Sequence, residues 1–253
     1  MGALARNVDD AAAMLDVMAG ITFGRSTWAP PPPRPFAEMI CRPPGRGMRV
    51  RFALRNHMID THPEIEAAVL RAVKLVESMG HHVEEGSLPR VPLDEFIPLW
   101  RHLVARLPFT NWERVQPVTR WLGEPGRSIR PSDAAARHRR LEALAREWWG
   151  DADYWITPTV PIPAPRVGAF AHLDAESLFR QLAPLGSFTA AFNLTGQPAV
   201  SIPVGLTSQG LPMGLQIGGR DFADGPVLAL AKQLEEALAV PQTRPSAARI
   251  VAG

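Results

Sequence analysis

Residues 62–85 read HPEIEAAVLRAVKLVESMGHHVEE and carry the clearest local pattern in the chain. Apolar residues on one helical face are Ile65, Val69, Val73 and Val76. Pro63 suits a first helical position because its missing N–H would have no partner there, and Gly80 suits the position just past the end. Residues 48–52, MRVRF, alternate apolar and charged side chains as a strand does, and another strand is expected around Val83. The order strand, helix, strand predicts a layered α/β fold.

The same periodicities predict further elements along the chain. A helix is expected over 8–19 with Asn7 as its cap, and another from a Ser132 or Asp133 cap to Trp148 or Trp149. Strands are expected at 154–156, 198–204 and 213–217, and a last helix is expected after a cap at Asp224. For residues 91–127 the sequence pattern is compatible with both helical pieces and loops, and neither is preferred.

The connector over 21–47 is rich in proline and glycine. Its PPPRP run at 31–35 favours an extended polyproline segment over a core element. We therefore expect the connector to wrap the surface.

Composition narrows the class of protein. With 253 residues, 46% of them hydrophobic, the chain is long enough to bury a substantial core. The single cysteine, Cys41, excludes an internal disulfide, so a reducing compartment and hence the cytoplasm is expected. No apolar run approaches the roughly 20 residues that a bilayer span requires, so no membrane partner is expected.

The pI near 9.2 does not by itself indicate nucleic-acid binding, because the formal net charge is only +2. The densest basic stretch contains Arg137, Arg139, Arg140 and Arg146. Glu142 and Glu147 lie among these arginines at spacings that favour pairing within one helix. A solvated helix face is the better interpretation.

Five segments, taken in order, resemble the amidase signature family. They are GALARNVDDAAAMLDVMAG at 2–20, MRVRFA at 48–53, residues 62–85, ITPTVPIPAP at 156–165, and the long run from FNLTGQPAVSIPVG at 192–205 to Ala237. The resemblance implies an α/β fold, part of a mixed β-sheet layered between helices, with the N-terminal half of the amidase-signature fold lacking. It assigns 1–245 to the C-terminal portion of an amidase domain and 246–253 to a tail.

The resemblance implies hydrolysis of non-peptide amide carbon–nitrogen bonds by a Ser-Ser-Lys triad and a glycine-rich serine loop. Both lysines of this sequence, Lys74 and Lys232, fall on predicted solvent faces of helices, and neither matches the family's catalytic position. Ser187 and Ser208 lack a family-like lysine or histidine context. No catalytic residue is assigned, and the isolated chain is expected to be inactive. A non-catalytic docking or subunit module is the alternative.

The residues predicted to bind substrate are Phe188, Thr189, Phe192 and Asn193, which the resemblance places along the acyl side of the cleft. The alternative, that Phe188 and Phe192 simply fill the core from one short helix, stays open. In the branch that amidates transfer RNA, an acidic residue stands where Gly186 does here, so a transfer RNA partner is not expected. A small-molecule amide is the expected partner of the complete enzyme. Homodimerisation and pairing with the N-terminal half are both left open.

No cofactor and no metal are expected. His81 and His82 stand beside Glu84 and Glu85, but neighbouring strand residues point to opposite faces and no HExxH pattern is present. His62 is expected to cap a helix or to be exposed. Trp148 and Trp149 are expected to pack in the core at a helix end, rather than to form a ligand shelf. Trp100, Phe109 and Trp112 hint at an apolar substrate.

Overall fold

The computed structural model describes residues 2–19 and 30–241, which form a mixed β-sheet between two layers of helices. The strands are β1 (Arg49–Phe52), β2 (His82–Glu85), β3 (Tyr154–Pro158), β4 (Ala199–Leu206) and β5 (Pro212–Gly219). The helices are α1 (Val8–Met18), α2 (Phe36–Met39), α3 (Pro63–Ser78), α4 (Leu93–Ala105), α5 (Pro117–Gly126), α6 (Pro131–Trp149), α7 (Ala175–Leu182), α8 (Ala190–Thr195) and α9 (Asp224–Leu238). The predicted α/β class is confirmed.

The strands lie in the order β2-β1-β3-β5-β4. The first three are parallel, whereas β5 is antiparallel to both β3 and β4. Parallel pairing of β1 with β2 requires a crossover, and α3 supplies it. The five predicted strands are confirmed. β4 is an edge strand within the described residues.

One face of the sheet packs on α3 and α9, with α1 and α2 beside them. The apolar face predicted for α3 is buried here, since Ile65, Val69 and Val76 are almost fully inaccessible. Phe36 and Ile40, in and just after α2, are buried in the same core. The prediction that the whole connector wraps the surface is therefore wrong for Phe36 and Ile40, because a proline-rich run does not prevent the next aromatic residue from reaching the core. The predicted connector residues 21–29 and the predicted tail 246–253 lie outside the described residues, and the domain boundary stays a prediction.

The opposite face carries a smaller aromatic cluster beneath α6 and α8. Trp155 of β3 packs against Trp148, with ring centroids 4.3 Å apart, and its indole N–H donates to the Trp149 carbonyl at 3.3 Å. Phe192 of α8 meets Trp149 edge to face, with ring centroids 5.9 Å apart. Core packing of the two tryptophans at the end of α6 is confirmed, most fully for Trp149, which is 4% exposed.

Helix starts agree with the predictions in part. Asn7 caps α1 by accepting from the Asp10 N–H at 2.7 Å, and the His62 ring accepts from the Glu64 N–H at the start of α3, so both caps are confirmed. The cap predicted at Ser132 or Asp133 is wrong, because α6 starts at Pro131. Proline is already set for the first helical position, which places Arg130 at the cap. Similarly, Asp224 is the first residue of α9 and Ala223 is its cap.

The arginines of α6 pair mainly with other elements. Arg137 and Arg140 both bind Glu95 of α4. Arg146 binds Glu142 within α6 and Asp221 outside it. The predicted pairing within the helix holds for Arg146 alone, because α4 brings its carboxylate over the same face. The segment left open at 91–127 forms α4, α5 and a short 3-10 turn, Trp112–Arg114, between them.

The neighbouring histidines His81 and His82 lie in different environments. His81 is buried while His82 is exposed, and within the described ranges no three His, Cys, Asp or Glu side chains are grouped to hold a metal ion.

Among residues 2–19 and 30–241, no helix combines the length and the apolar character that crossing a bilayer requires.

Burial of Tyr154 in this sheet predicts that the free energy of unfolding depends on pH in the alkaline range. It is the only tyrosine in the chain and is 1% exposed, and burial, reinforced by the charge of Asp153, raises the pKa of Tyr154 to about 12. An unfolded tyrosine has a pKa of about 10, so the folded state retains this proton over a pH range in which the unfolded chain loses it. The resulting stability of about 2 to 3 kcal/mol is fully present below pH ~10 and is lost as the pH rises through the folded pKa.

We therefore expect the unfolding free energy of the wild type to fall relative to that of Tyr154→Phe across this alkaline range. Urea unfolding of both proteins at a series of pH values measures the difference, and the phenylalanine variant removes only the titrating hydroxyl. Parallel curves for the two proteins would contradict the prediction.

Candidate functional site

A groove of about 700 Å³ follows the free edge of β4. Residues from both sides of this strand line it, with Ser201 and Pro203 on one side and Val200 and Ile202 on the other. Consecutive strand residues alternate between faces, so the groove wraps around the strand instead of lying on one face of the sheet. An edge strand also presents unpaired backbone N–H and C=O groups.

The floor of the groove contains a hydrogen-bonded pair of hydroxyls. Thr159, just past β3, lies with its Oγ1 2.6 Å from the Oγ of Ser201 on β4. The two side chains meet across β5 at Gly214, where a Cβ atom would lie 2.8 Å from the Thr159 Oγ1. Glycine at this position therefore leaves the space in which the pair forms.

Gln216 fixes the neighbouring part of the floor. It is 5% exposed, and its Nε2 donates to the Thr157 Oγ1 and to the Phe188 carbonyl, both at 3.1 Å. One buried amide thus ties β3, β5 and the segment before α8 together. A buried donor that lost these acceptors would cost about 1 to 3 kcal/mol, so the arrangement is held firmly.

The four predicted substrate-binding residues are placed differently from one another. Thr189, Phe192 and Asn193 line the groove. Asn193 is exposed, and its side-chain amide makes no hydrogen bond within the described part of the chain. Phe188 is fully buried and does not line the groove, although its carbonyl accepts from Gln216. Phe188 and Phe192 do not share one short helix as expected, because α8 begins at Ala190.

The N-terminal segment forms the other wall. Glu235 of α9 accepts from the Val8 N–H through both carboxylate oxygens, at 3.1 and 3.2 Å, and this anchors the start of α1 beside β4. Asp224, also in the groove, has its pKa raised by burial. The groove thus combines an apolar strand edge with carboxylates on one wall and amide and hydroxyl groups on the other.

Neither lysine is placed to activate a serine. Lys74 is exposed on α3, and Lys232 binds Asp9 and Glu236. Within the described part of the chain the Ser187 hydroxyl has no hydrogen-bond partner, and the Ser208 hydroxyl donates to Glu64 at 2.8 Å. Among residues 2–19 and 30–241, no serine hydroxyl bonds a lysine or histidine, which is the contact that nucleophile activation requires.

Sequence reasoning missed Thr159, Ser201 and Gln216 as groove residues. A signal was present for two of them, since Thr159 lies in ITPTVPIPAP and Ser201 in FNLTGQPAVSIPVG. Their separation of 42 residues gave no indication that the two segments meet at one point.

Comparison with known proteins gives consistent matches. The family model described as Amidase matches residues 1–106 and 116–228. A putative amidase of Synechocystis sp. is 33% identical over 251 residues, which cover 96% of this chain and 48% of the relative. A 6-aminohexanoate-cyclic-dimer hydrolase of Pseudomonas sp. is 31% identical over 276 residues, covering 96% of this chain and 55% of the relative.

Solved structures agree with these matches. A structure of 6-aminohexanoate cyclic dimer hydrolase superposes with a TM-score of 0.82 at 29% identity, over 96% of this chain and 55% of that one. A bacterial aryl acylamidase of the amidase signature family superposes with a TM-score of 0.72 at 19% identity, over 96% of this chain and 55% of that one, and shows the shared fold alone. The chain spans about half the length of the curated relatives it matches.

Proposed function

The chain belongs to the amidase family, and from this we propose that it forms the groove-lining part of an enzyme that hydrolyses carbon–nitrogen bonds in non-peptide amides. The observation that carries the proposal is the contact between Thr159 and Ser201. It joins two segments that resemble the family, 156–165 and 192–205, at the floor of one groove. A substrate amide needs donors and acceptors of this kind to hold it beside a nucleophile.

In this proposal Thr189, Phe192 and Asn193 contact the substrate. The Asn193 amide supplies one donor pair and one acceptor, and Phe192 supplies an apolar wall backed by Trp149. Phe188 acts behind them, because its carbonyl holds Gln216 in place. The substrate is a small-molecule amide, and transfer RNA is not a partner.

The proposal also states that this chain alone does not hydrolyse amides. The positions of Lys74 and Lys232 support this, since one faces solvent and the other is held by two carboxylates. The Ser-Ser-Lys chemistry of the family needs a lysine next to a serine. We also propose a cytoplasmic location, which suits the exposed free thiol of Cys41.

A chimera tests the function. The half of the Synechocystis relative that this chain does not match is fused to this chain, and the product is assayed on hexanamide and benzamide. We expect turnover by the chimera and none above background by the chain alone. Asn193→Ala in the chimera is expected to lower kcat/KM by about 3- to 10-fold, the effect of one lost hydrogen bond. Gln209→Ala, which removes an exposed amide in the β4–β5 turn, serves as the matched control.

Fluorophosphonate labelling tests where the nucleophile lies. After treatment, intact mass should show an adduct on the relative's half of the chimera and none on the isolated chain. A folded chimera without turnover, or an adduct on a side chain of this chain, would contradict the proposal.

The second candidate function is a non-catalytic docking module, which the free edge of β4 favours because an added strand or segment can pair with it. Mixing the chain with the separately expressed half of the relative discriminates the two. Binding that buries the β4 edge but produces no turnover, with the chimera also inactive, would favour docking.

A further inference from the structure

His138 of α6 lies against the C-terminal end of α8. Its ring is half-buried, and the ring Nε2 lies 3.1 Å from the Leu194 carbonyl oxygen. A carbonyl oxygen can only accept a hydrogen bond, so the ring donates and its Nε2 carries a proton. The two residues are 56 positions apart in the sequence, and α6 also packs along α8. The hydrogen bond therefore fastens the end of one helix to the side of another.

The short helix α8 has few restraints of its own. It is six residues long, and no side-chain hydrogen bond caps its start within the described part of the chain. It ends at Gly196, whose N–H donates to the Phe192 carbonyl at 2.9 Å. The last carbonyls of a helix have no partner within the helix itself, and His138 supplies one for Leu194. Because so short a helix depends on tertiary contacts, this hydrogen bond helps to set where its last turn lies.

The last turn of α8 also carries residues of the groove. Phe192 and Asn193 line the groove, and Leu194, which His138 holds, is the next residue along the chain. Asn193 is exposed, and its side-chain amide makes no hydrogen bond within the described part of the chain. The position of that amide therefore depends on the backbone of α8, and so on what holds the backbone.

We propose that His138 is a positioning residue of the groove. By holding the Leu194 carbonyl, it places the side-chain amide of Asn193 where a substrate can meet it. The inference rests on the proposed function, in which Asn193 contacts the substrate. His138 does not itself line the groove, so it acts through α8 and is not a catalytic residue. A contact that is displaced lowers the rate even when the contacting residue is unchanged.

Nitrogen-15 NMR of the whole chain tests the hydrogen bond directly. At about pH 9 an ordinary histidine ring is neutral and carries a single proton. We expect the His138 ring to carry that proton on Nε2, because only then can it donate to the Leu194 carbonyl. A neutral ring protonated on Nδ1 would overturn the inference, since two acceptors would then face each other.

Amide hydrogen exchange of the whole chain measures the hold on α8. His138→Leu removes the donor, and we expect the backbone N–H groups of Asn193 and Gly196 to exchange about 5- to 10-fold faster, the effect of one lost hydrogen bond. His138→Gln should leave their exchange close to that of the wild type, because the glutamine Nε2 is as many bonds from Cβ as the histidine Nε2 and can donate. His172→Leu, at an exposed histidine, is the matched control and should have no effect.

Kinetics of the chimera separate positioning from mere stabilisation. His138→Leu should lower kcat/KM for hexanamide by about 3- to 10-fold, and His138→Gln should restore most of it. In the Asn193→Ala background, His138→Leu should lower kcat/KM by less than about 2-fold, because the contact that it positions is already gone. A residue that only stabilised the fold would give losses that multiply.

The outcomes distinguish this inference from the proposed function. With an active chimera, multiplying losses, no rescue by His138→Gln, or unchanged exchange in α8 would overturn the positioning role and leave the proposed function intact. An inactive chimera would contradict the proposed function and with it the role of His138 in catalysis, whereas exchange in the whole chain would still decide whether His138 holds α8.

Discussion

Trp155→Ala is expected to lower the free energy of unfolding by about 4 kcal/mol, within the range for removing a large buried aromatic side chain. Trp155 is 1% exposed in the central strand β3. Its ring lies 4.3 Å, centroid to centroid, from that of Trp148, and its edge fills the space above Gly86. None of these neighbours can follow a truncated side chain without leaving the sheet or α6, so a cavity remains.

Urea unfolding monitored by circular dichroism measures this effect. Phe109→Ala is the control, because Phe109 is an aromatic residue with 40% of its surface exposed, and its loss is expected to cost less than about 1 kcal/mol. Similar losses in the two variants would show that the aromatic cluster under α6 does not hold the sheet as described.

Gly218→Ala is expected to cost about 3 kcal/mol, although it adds a single methyl group. A Cβ at position 218 would lie 1.9 Å from the Phe192 Cε1, and Phe192 is confined by Trp149 behind it. Relief of this clash requires α8 to move, and α8 carries Phe192 and Asn193 of the groove lining. The substitution should therefore also reduce substrate binding in the groove.

A double-mutant cycle identifies the clash as the cause. Phe192→Leu shortens the side chain that the new methyl would meet, so Gly218→Ala should cost less in that background than in the wild type. Gly45→Ala is the matched control, since no atom lies within 4 Å of its added Cβ, and its effect should stay within about 0.5 kcal/mol. Equal costs of Gly218→Ala in both backgrounds would contradict the packing described for α8.

The position of α8 links these results to function. The helix is six residues long, Phe192 packs it against Gly218 of β5 and Trp149 of α6, and α6 makes further contacts with it. A helix this short has little stability of its own, so its position depends on tertiary contacts. The glycines of β5 at 214 and 218 make those contacts close enough to form both the hydroxyl pair and the aromatic contact.

Sequence reasoning located the elements better than it located their partners. The periodicity of α3, with its proline start and glycine end, predicted that helix to within a residue. In contrast, Arg137 and Arg140 were expected to pair along α6, and both pair with Glu95 of α4. Phe36 was assigned to a surface connector and lies in the core. Each of these predictions was wrong because the contacts that decide the position of the residue come from elements distant in the sequence.

The sequence by itself determined the α/β class, most of the helices and strands, and membership of the amidase family. Each of these depends on residues a few positions apart, or on the order of motifs, and both can be read along the chain. Only the tertiary structure decided that Thr159 meets Ser201, that Phe192 lines the groove while Phe188 is buried, and that Gln216 joins β3 and β5 to the segment before α8. Those features depend on strand order and register, which are fixed by many weak contacts between distant residues that no local pattern records.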